Sequence, residues 1–263
     1  MSLSVEEICK YIESFAPVAW AEPWDQVGLQ LGSLKTQIEH LGLALELTPE
    51  VVDWVFSEKI EGLLTHHPLF FRPLKGLREE DPWEQLIVRL VRGRKVVVSY
   101  HTNLDVAPGG VTEVLAEALG FKCERALKPI SEDLPEIGLG RVGVTESPLS
   151  VSEIARRLAE IIRFPVFTVG PDREVKRIAI CAGAGGDLIP QALQNGAEAY
   201  ITGEVKHHAA REAEIAGLSL IVADHYAVEA YFLKHLKGRL SARFPGLKVS
   251  LFMGQSPFRL LTN

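Results

Sequence analysis

Apolar positions along the first half of the chain alternate between helical spacing and short unbroken runs. After Ser4, apolar residues recur every three to four positions from Val5 to Phe15, which predicts an amphipathic helix with a serine N-cap. The same spacing, with helix-start or helix-stop residues, predicts helices at 5–15, 48–59, 83–91 and 111–119. Short apolar runs bounded by turn residues predict buried strands at 42–47, 63–65 and 96–100. This alternation is typical of an α/β fold.

The second half of the chain repeats the alternation. Helices are predicted at 151–162, 188–194, 204–216 and 227–236, and strands at 177–181, 199–202 and 218–223. The stretch around residues 123–140 loses this pattern and contains the loop-like sequence Lys128-Pro-Ile-Ser-Glu-Asp-Leu-Pro-Glu136. We therefore predict two layered α/β domains, residues 1–127 and 128–263, with mixed sheets flanked by helices.

Composition limits the classes of function. The chain has 263 residues, of which 47% are hydrophobic and 24% charged, close to globular averages. The net charge of −6, with no block rich in lysine and arginine, argues against an extended nucleic-acid surface. Cys9, Cys123 and Cys181 are scattered, which indicates a reducing compartment and no thiolate zinc site. Since no signal sequence or bilayer-length apolar run is visible, we expect a cytoplasmic protein without a membrane partner.

Metal-ligand side chains follow two predicted strands of the first half. His66 and His67 follow the second strand, and we interpret His101 and Asp105 as parts of the loop after the third. Adjacent side chains at a strand end point in different directions, so we expect His66 and His67 to serve different ions of a close pair. The alternatives are locally hydrogen-bonded loop histidines and, for Asp105, ordinary turn capping.

The second half has further candidate residues. His225 and Glu229 lie four residues apart, so a helix places them on one face. They then form either part of a metal site or an ordinary pair on the helix surface. The segment Thr202-Gly-Glu-Val-Lys-His-His208 follows a strand and opens a helix, where its side chains either face a substrate or form a solvated helix face. The glycine-rich turn at 181–187 can present N–H groups to phosphate, but a tight structural turn explains it at least as well.

Together these segments resemble the GTP cyclohydrolase I type 2 family, also described as NIF-three-like dinuclear-metal proteins. The resemblance covers nearly the whole chain, in the short form that lacks an inserted middle domain. It rests on Trp24-Asp-Gln-Val-Gly-Leu-Gln30, His66-His-Pro68, His101-Thr-Asn-Leu-Asp105, Gly183-x-Gly185, Thr202-Gly-Glu204 with His207-His208, and His225 to Glu229. It implies two α/β domains with two divalent ions in the cleft between them, and a toroidal hexamer. The implied metal ligands are His66, His67, Asp105, His225 and Glu229.

The chain departs from the family's motifs at three places. Gln26 and Asp224 stand where asparagine and glycine are usual, and Thr112-Glu113 stands near the usual place of an Asn-Asp pair. These positions flank the implied site without replacing a ligand, so they bear on the choice of substrate.

The implied ligand set indicates a class of chemistry. Imidazole and carboxylate ligands suit zinc, manganese, iron or nickel. We expect metal-dependent hydrolysis of a nucleotide-like substrate, with His101 as the catalytic proton shuttle. By resemblance the attacked atom would be C8 of the guanine ring of GTP, and the candidate substrate contacts are Glu204, Lys206, His207 and His208. The alternative is a non-catalytic toroidal assembly stabilised by metal, or a regulatory protein that binds a protein or nucleic-acid partner.

Overall fold

The computed structural model describes residues 2–259 and 261, and the chain divides into two compact units. Unit 1 comprises Met1–Leu104 and Leu233–Gly254, and unit 2 comprises Asp105–Phe232 and Gln255–Asn263. Both units are α/β, as predicted. In the described part of the chain, no helix is long and apolar enough to cross a membrane.

The elements are numbered in chain order. The strands are β1 Leu3–Ser4, β2 Gly28–Leu31, β3 Gln37–Ile38, β4 His40–Ala44, β5 Gly62–Thr65, β6 Val96–Ser99, β7 Phe121–Pro129, β8 Gly138–Ser150, β9 Phe167–Val169, β10 Glu174–Cys181, β11 Ala199–Thr202, β12 Ser219–Val222 and β13 Lys248–Leu251. The α-helices are α1 Val5–Glu13, α2 Pro49–Ser57, α3 Pro82–Arg92, α4 Thr102–Val106, α5 Val111–Ala118, α6 Val151–Ile162, α7 Ile189–Gln194, α8 His207–Ile215 and α9 His225–Arg243. Short 3-10 helices span Val18–Trp20 and Gly186–Leu188.

Unit 1 is built on a five-stranded sheet in the order β13-β4-β5-β6-β2. Strands β13, β4, β5 and β6 are parallel, and β2 is antiparallel to β6. The capping residues predicted from sequence are in place, since Ser4 forms a capping box on α1 and Thr48 caps α2. Helices α2 and α3 bury their apolar faces against the sheet around Val55, Leu63 and Leu90. The carboxyl ends of these four neighbouring parallel strands therefore meet at one edge, where ligand sites form in open sheets.

Unit 2 is built on a six-stranded mixed sheet in the order β7-β8-β10-β11-β12-β9. Strands β10, β11 and β12 are parallel, whereas β8, β7 and β9 pair antiparallel. Successive side chains of β10 point to opposite faces of the sheet and pack into two different hydrophobic cores. Ile178 and Ile180 pack with α5 and α6, and Ala179 and Cys181 pack with α7 and α8. Covering both faces with helices explains why β11, β12 and the part of β10 that pairs with β11, Ile178–Cys181, are mostly buried and mostly apolar.

Several predicted boundaries differ from the observed ones. The compact units divide after Leu104, and the domain boundary at residues 127/128 stays a prediction. The irregular stretch at 123–140 belongs to the antiparallel pair β7–β8, whose register shifts between Cys123 and Arg125. The predicted loop carrying Asp105 is the short helix α4. Helix α8 begins at His207, later than predicted, whereas α6 and β11 have the predicted bounds.

Candidate metal centre

Three histidines of unit 1 gather at the carboxyl edge of its sheet. His66 and His67 follow β5 and His101 follows β6; since Thr65 lies opposite Ser99 in the register, the chains leave the two strands side by side. One nitrogen from each imidazole lies within 4.8 Å of the others, close enough to hold one ion. The rings of His66 and His67 lie side by side, with centroids 5.4 Å apart, because the chain bends at both residues. That the two histidines serve different ions stays a prediction.

The Nδ1 atom of each histidine has an oxygen partner. His66 Nδ1 donates to the carbonyl of Tyr100 at 2.9 Å, and His67 Nδ1 meets the Glu46 carboxylate at 3.2 Å. His101 Nδ1 lies 3.1 Å from Oδ1 of Asp25. An oxygen acceptor at Nδ1 places the proton on that atom and the lone pair on Nε2, which is the usual arrangement of a metal-binding histidine. The chemistry of this donor set fits a divalent transition-metal ion.

Asp25 is the most firmly held of these oxygen partners. It precedes β2, whose antiparallel direction puts its start at the same sheet edge as the ends of β5 and β6. Its Oδ2 accepts hydrogen bonds from the backbone N–H of Thr102 at 3.0 Å and from the Thr102 hydroxyl at 2.6 Å. Burial raises the pKa of Asp25, but the contacts with His101 and Thr102 outweigh it and lower the pKa to about 2. Asp25 is therefore an ionised carboxylate that fixes His101.

A second cluster lies in unit 2 at the start of α9. His225 and Glu229 share one helix face, as predicted, with Nε2 and Oε2 3.0 Å apart. On the other side of the ring, His225 Nδ1 lies 2.8 Å from Oε1 of Glu204. Asp224 caps the helix, since its Oδ1 accepts from the N–H of Ala227 at 2.9 Å. Asp224, one of the three predicted departures, is therefore a helix N-cap residue in this chain.

The glycine-rich turn of unit 2 packs against this cluster. The carbonyl of Gly183 accepts a hydrogen bond from the N–H of Gly203 at 2.9 Å. Gly183 has a φ of +72°, and a Cβ atom at this position would collide with Oε1 of Glu229. The turn is thus a tight structural one whose glycine lets the backbone approach a candidate metal ligand.

Asp105 lies on α4, in the same unit as His225 and Glu229. Burial raises the pKa of the Cys181 thiol to about 12, and the negative charges of Asp105 and Glu229 add to the effect. The two carboxylates therefore share a neighbourhood around Cys181. The backbone just after Asp105 is bound by the buried Arg141, whose Nη2 donates to the carbonyls of Val106 and Ala107 at 3.2 and 2.7 Å.

A cavity of about 570 Å³ opens at the carboxyl ends of β10, β11 and β12. Of the four candidate substrate contacts, Glu204, Lys206 and His208 line it, and His207 is not among the described residues that do so. His225 lines it as well, so a candidate metal ligand borders the cavity. Its apolar wall includes Phe164, Phe167 and Phe258. An apolar cavity with a few convergent polar groups is typical of a small-molecule site.

A protein-family model and several known proteins match this chain. The family model described as Duf34/NIF3 (NGG1p interacting factor 3) matches residues 3–257. The chain belongs to the Duf34/NIF3 family. A relative from Lactococcus lactis subsp. lactis named "GTP cyclohydrolase 1 type 2 homolog" is 30% identical over 94% of this chain and 95% of its own. The resemblance drawn from the motifs is thereby confirmed.

Solved structures of Duf34/NIF3 proteins and their relatives share the fold. A hypothetical protein of Staphylococcus aureus is 26% identical, with a TM-score of 0.89 over 99% of this chain and 100% of that one. The protein titled "Reduced HcgD" from Methanocaldococcus jannaschii is 29% identical, with a TM-score of 0.82 over 95% of this chain and 98% of that one. The mixed sheets flanked by helices are therefore those of the family.

Two residues of this Duf34/NIF3 chain were missed as parts of the site. In the sequence, Asp25 stands out only as part of the Trp24–Gln30 motif, and Glu46 lies within the apolar run 42–47. Glu46 is the charged residue just beyond β4, the strand that neighbours β5. The rule that polar residues at strand ends form sites would have identified it.

Proposed function

We propose that the protein binds two divalent metal ions and uses them to hydrolyse a nucleotide-like substrate. The proposed ligands are His66, His67, Asp105, His225 and Glu229. The observation that carries the proposal is the histidine cluster of unit 1, in which every Nδ1 has an oxygen partner and one nitrogen of each ring lies within 4.8 Å of the others. The His225–Glu229 pair of unit 2 supplies an imidazole and a carboxylate of the same chemical type.

The residues themselves suggest how a reaction would be assisted. When bound, such ions would polarise a substrate atom and lower the pKa of a water molecule. The Asp25 carboxylate keeps a proton on Nδ1 of His101 and fixes the orientation of that ring. His101 Nε2 can then take up a proton, which is the role predicted for it, or serve as a further metal ligand.

The cavity of unit 2 supports a small-molecule substrate. Glu204, Lys206 and His208 lie on its wall, and we propose that they contact the substrate, with His207 as a contact from the first turn of α8. Several relatives are named as GTP cyclohydrolase 1 type 2 homologs, which supports a nucleotide such as GTP as the compound to test first. The toroidal hexamer and the cytoplasmic location stay predictions; light scattering of the purified protein tests the first.

A non-catalytic role is the second candidate. The matched family is described as an NGG1p interacting factor, which names a protein partner for a member of the family. In that case the metal ions would stabilise the fold, and the assembled protein would bind a protein or nucleic acid. Binding of DNA would have to be salt-dependent, because phosphate contacts release counterions.

The test combines metal content with turnover. Protein purified without added ions is analysed for zinc, manganese, iron and nickel, and is then assayed against a panel of nucleoside triphosphates and phosphoesters. Asp105→Ala is the test variant and Asp133→Ala, an exposed aspartate, is its matched control. We expect two ions per chain and metal-dependent turnover that is lost in Asp105→Ala alone. Bound ions without turnover of any compound would favour the non-catalytic role.

A further inference from the structure

Two aromatic side chains of unit 1 remain exposed beside the histidine cluster. Trp24 is 57% exposed and Phe71 is 54% exposed. Both rings lie against His101. The ring centroid of His101 lies 5.9 Å from that of Trp24 and 5.7 Å from that of Phe71. Phe71 also lies 6.2 Å from His67. Single exposed apolar residues are ordinary, but two aromatic rings sharing one imidazole form a defined patch.

The two rings are held in place although they face solvent. Trp24 directly precedes Asp25, whose carboxylate is bound by His101 and Thr102. Phe71 comes two residues after Leu69 in the sequence, and Leu69 is only 3% exposed. Their planes are inclined by 73° and 87° to the imidazole of His101. A pre-positioned aromatic surface binds a flat ligand with little further loss of side-chain freedom.

Two basic residues follow Phe71 along the chain. They are Arg72 and Lys75, and both are exposed. Aromatic rings with neighbouring cations are the combination that binds nucleotides, since the rings stack on a base and the cations face its phosphates. We infer that Trp24 and Phe71 form a stacking surface for the planar heteroaromatic ring of a nucleoside phosphate. This inference rests on the proposed function, because it specifies which residues recognise the substrate's ring.

The experiment measures binding by itself, without turnover. GTP, guanosine and inorganic tripolyphosphate are titrated calorimetrically into the full-length, metal-loaded protein and into Trp24→Ala and Phe71→Ala. The matched control is Trp83→Ala, since Trp83 is 43% exposed but lies on α3. Metal content and molecular mass are measured for every variant.

We expect Trp24→Ala and Phe71→Ala to weaken binding of GTP and guanosine about tenfold or more, the scale of one base–aromatic stack. Tripolyphosphate has no ring, so its binding should be the same in every variant. Trp83→Ala should bind GTP as the unchanged chain does. Metal content should not change, because neither aromatic residue is a metal ligand.

Three results would overturn the inference. One is that neither GTP nor guanosine binds the unchanged protein, and another is that both bind Trp24→Ala and Phe71→Ala with full affinity. The third is that the aromatic variants change the oligomeric mass and not ring binding, which would make the patch a contact between copies of the chain. If guanosine binding depends on Trp24 but no compound is turned over, the inference stands and the hydrolase proposal fails. If GTP is turned over but the aromatic variants bind it with unaltered affinity, the hydrolase proposal stands and the inference fails.

Discussion

Arg141 and Glu113 form a partly buried ion pair in unit 2, with Nε of Arg141 2.8 Å from Oε2 of Glu113. Arg141 is only 2% exposed. Its other guanidinium hydrogens are directed at backbone carbonyls, those of Val106, Ala107, Gly138 and Gly140. A buried arginine is tolerated when its donors are satisfied in this way, and here it ties β8 to the backbone that follows Asp105. Glu113 is also one of the two residues, Thr112-Glu113, that stand near the place where the resemblance leads us to expect an Asn-Asp pair.

Arg141→Met should destabilise the protein strongly. It leaves the Glu113 carboxylate and a set of carbonyls without their buried donor, for which a loss of about 3–5 kcal/mol in unfolding free energy is typical. Denaturation in urea measures the change. Arg125→Met on β7, an exposed arginine, is the control and should stay within about 0.5 kcal/mol of the unchanged chain. A loss for Arg141→Met no larger than that of the control would contradict the role assigned to this ion pair.

Gly183→Ala should remove metal binding from unit 2. The added methyl group would collide with the Glu229 carboxylate, and the φ of +72° adds backbone strain of about 1–2 kcal/mol. Gly120→Ala is a matched control, because Gly120 has a φ of +80° but no atom within 4 Å of the added Cβ. Both variants should lower the melting temperature, whereas only Gly183→Ala should lower metal content. Equal metal content in the two would show that Glu229 can move without consequence.

Local signals explain which parts of the fold could be predicted. The caps at Ser4 and Thr48 act on the next turn of the same helix, so the sequence predicts where α1 and α2 begin. The four-residue spacing of His225 and Glu229 is likewise local, and the helix brings the two together as expected. Strands β7 and β8 are not predicted, because β8 is ordered by pairing with β7 and β10, and exposed residues of the edge strand β7 hide its apolar pattern.

The missing parts of the site depend on contacts between distant segments. Asp25 and His101 are 76 positions apart, and only the antiparallel pairing of β2 with β6 brings them to the same edge. The approach of His66 to His67 depends on a bend that strand periodicity does not encode. The sequence therefore predicts which side chains can bind a metal ion, and the sheet topology adds the groups that orient them.

The cysteine thiols should be inert in the native protein. Burial raises the pKa of Cys9 and Cys123, the latter to about 11, and it raises the pKa of Cys181 to about 12. A thiol with a pKa of about 11 is ionised in about one molecule in a thousand at about pH 8, and the thiolate is the reactive form. An aromatic disulfide reagent should therefore modify the folded chain slowly and all three cysteines rapidly in urea. Fast labelling of the native protein at any of the three would contradict this prediction.

Asp25→Asn tests the second role of His101, that of a further metal ligand. In that role the variant should weaken metal binding, because it moves the ring proton of His101 from Nδ1 to Nε2. Asparagine has one carboxamide oxygen, and we expect the two donors of Thr102 on Oδ2 to outweigh the single backbone N–H of Gln26 on Oδ1 and to retain it. The amide NH₂ then faces Nδ1 of His101, which moves the ring proton to Nε2 and removes the lone pair that would bind an ion. Loss of such a carboxylate partner typically costs about 10–100-fold in metal affinity.

Calorimetric titration of the metal-free protein with zinc measures this effect. Asp53→Asn, at the exposed carboxylate paired with Arg89, is the control and should bind zinc normally. Since Asp25 is held to act through His101, Asp25→Asn should add nothing to the loss caused by His101→Ala alone. Additive losses in the double variant would show that Asp25 affects the metal site by another route, such as the position of Thr102.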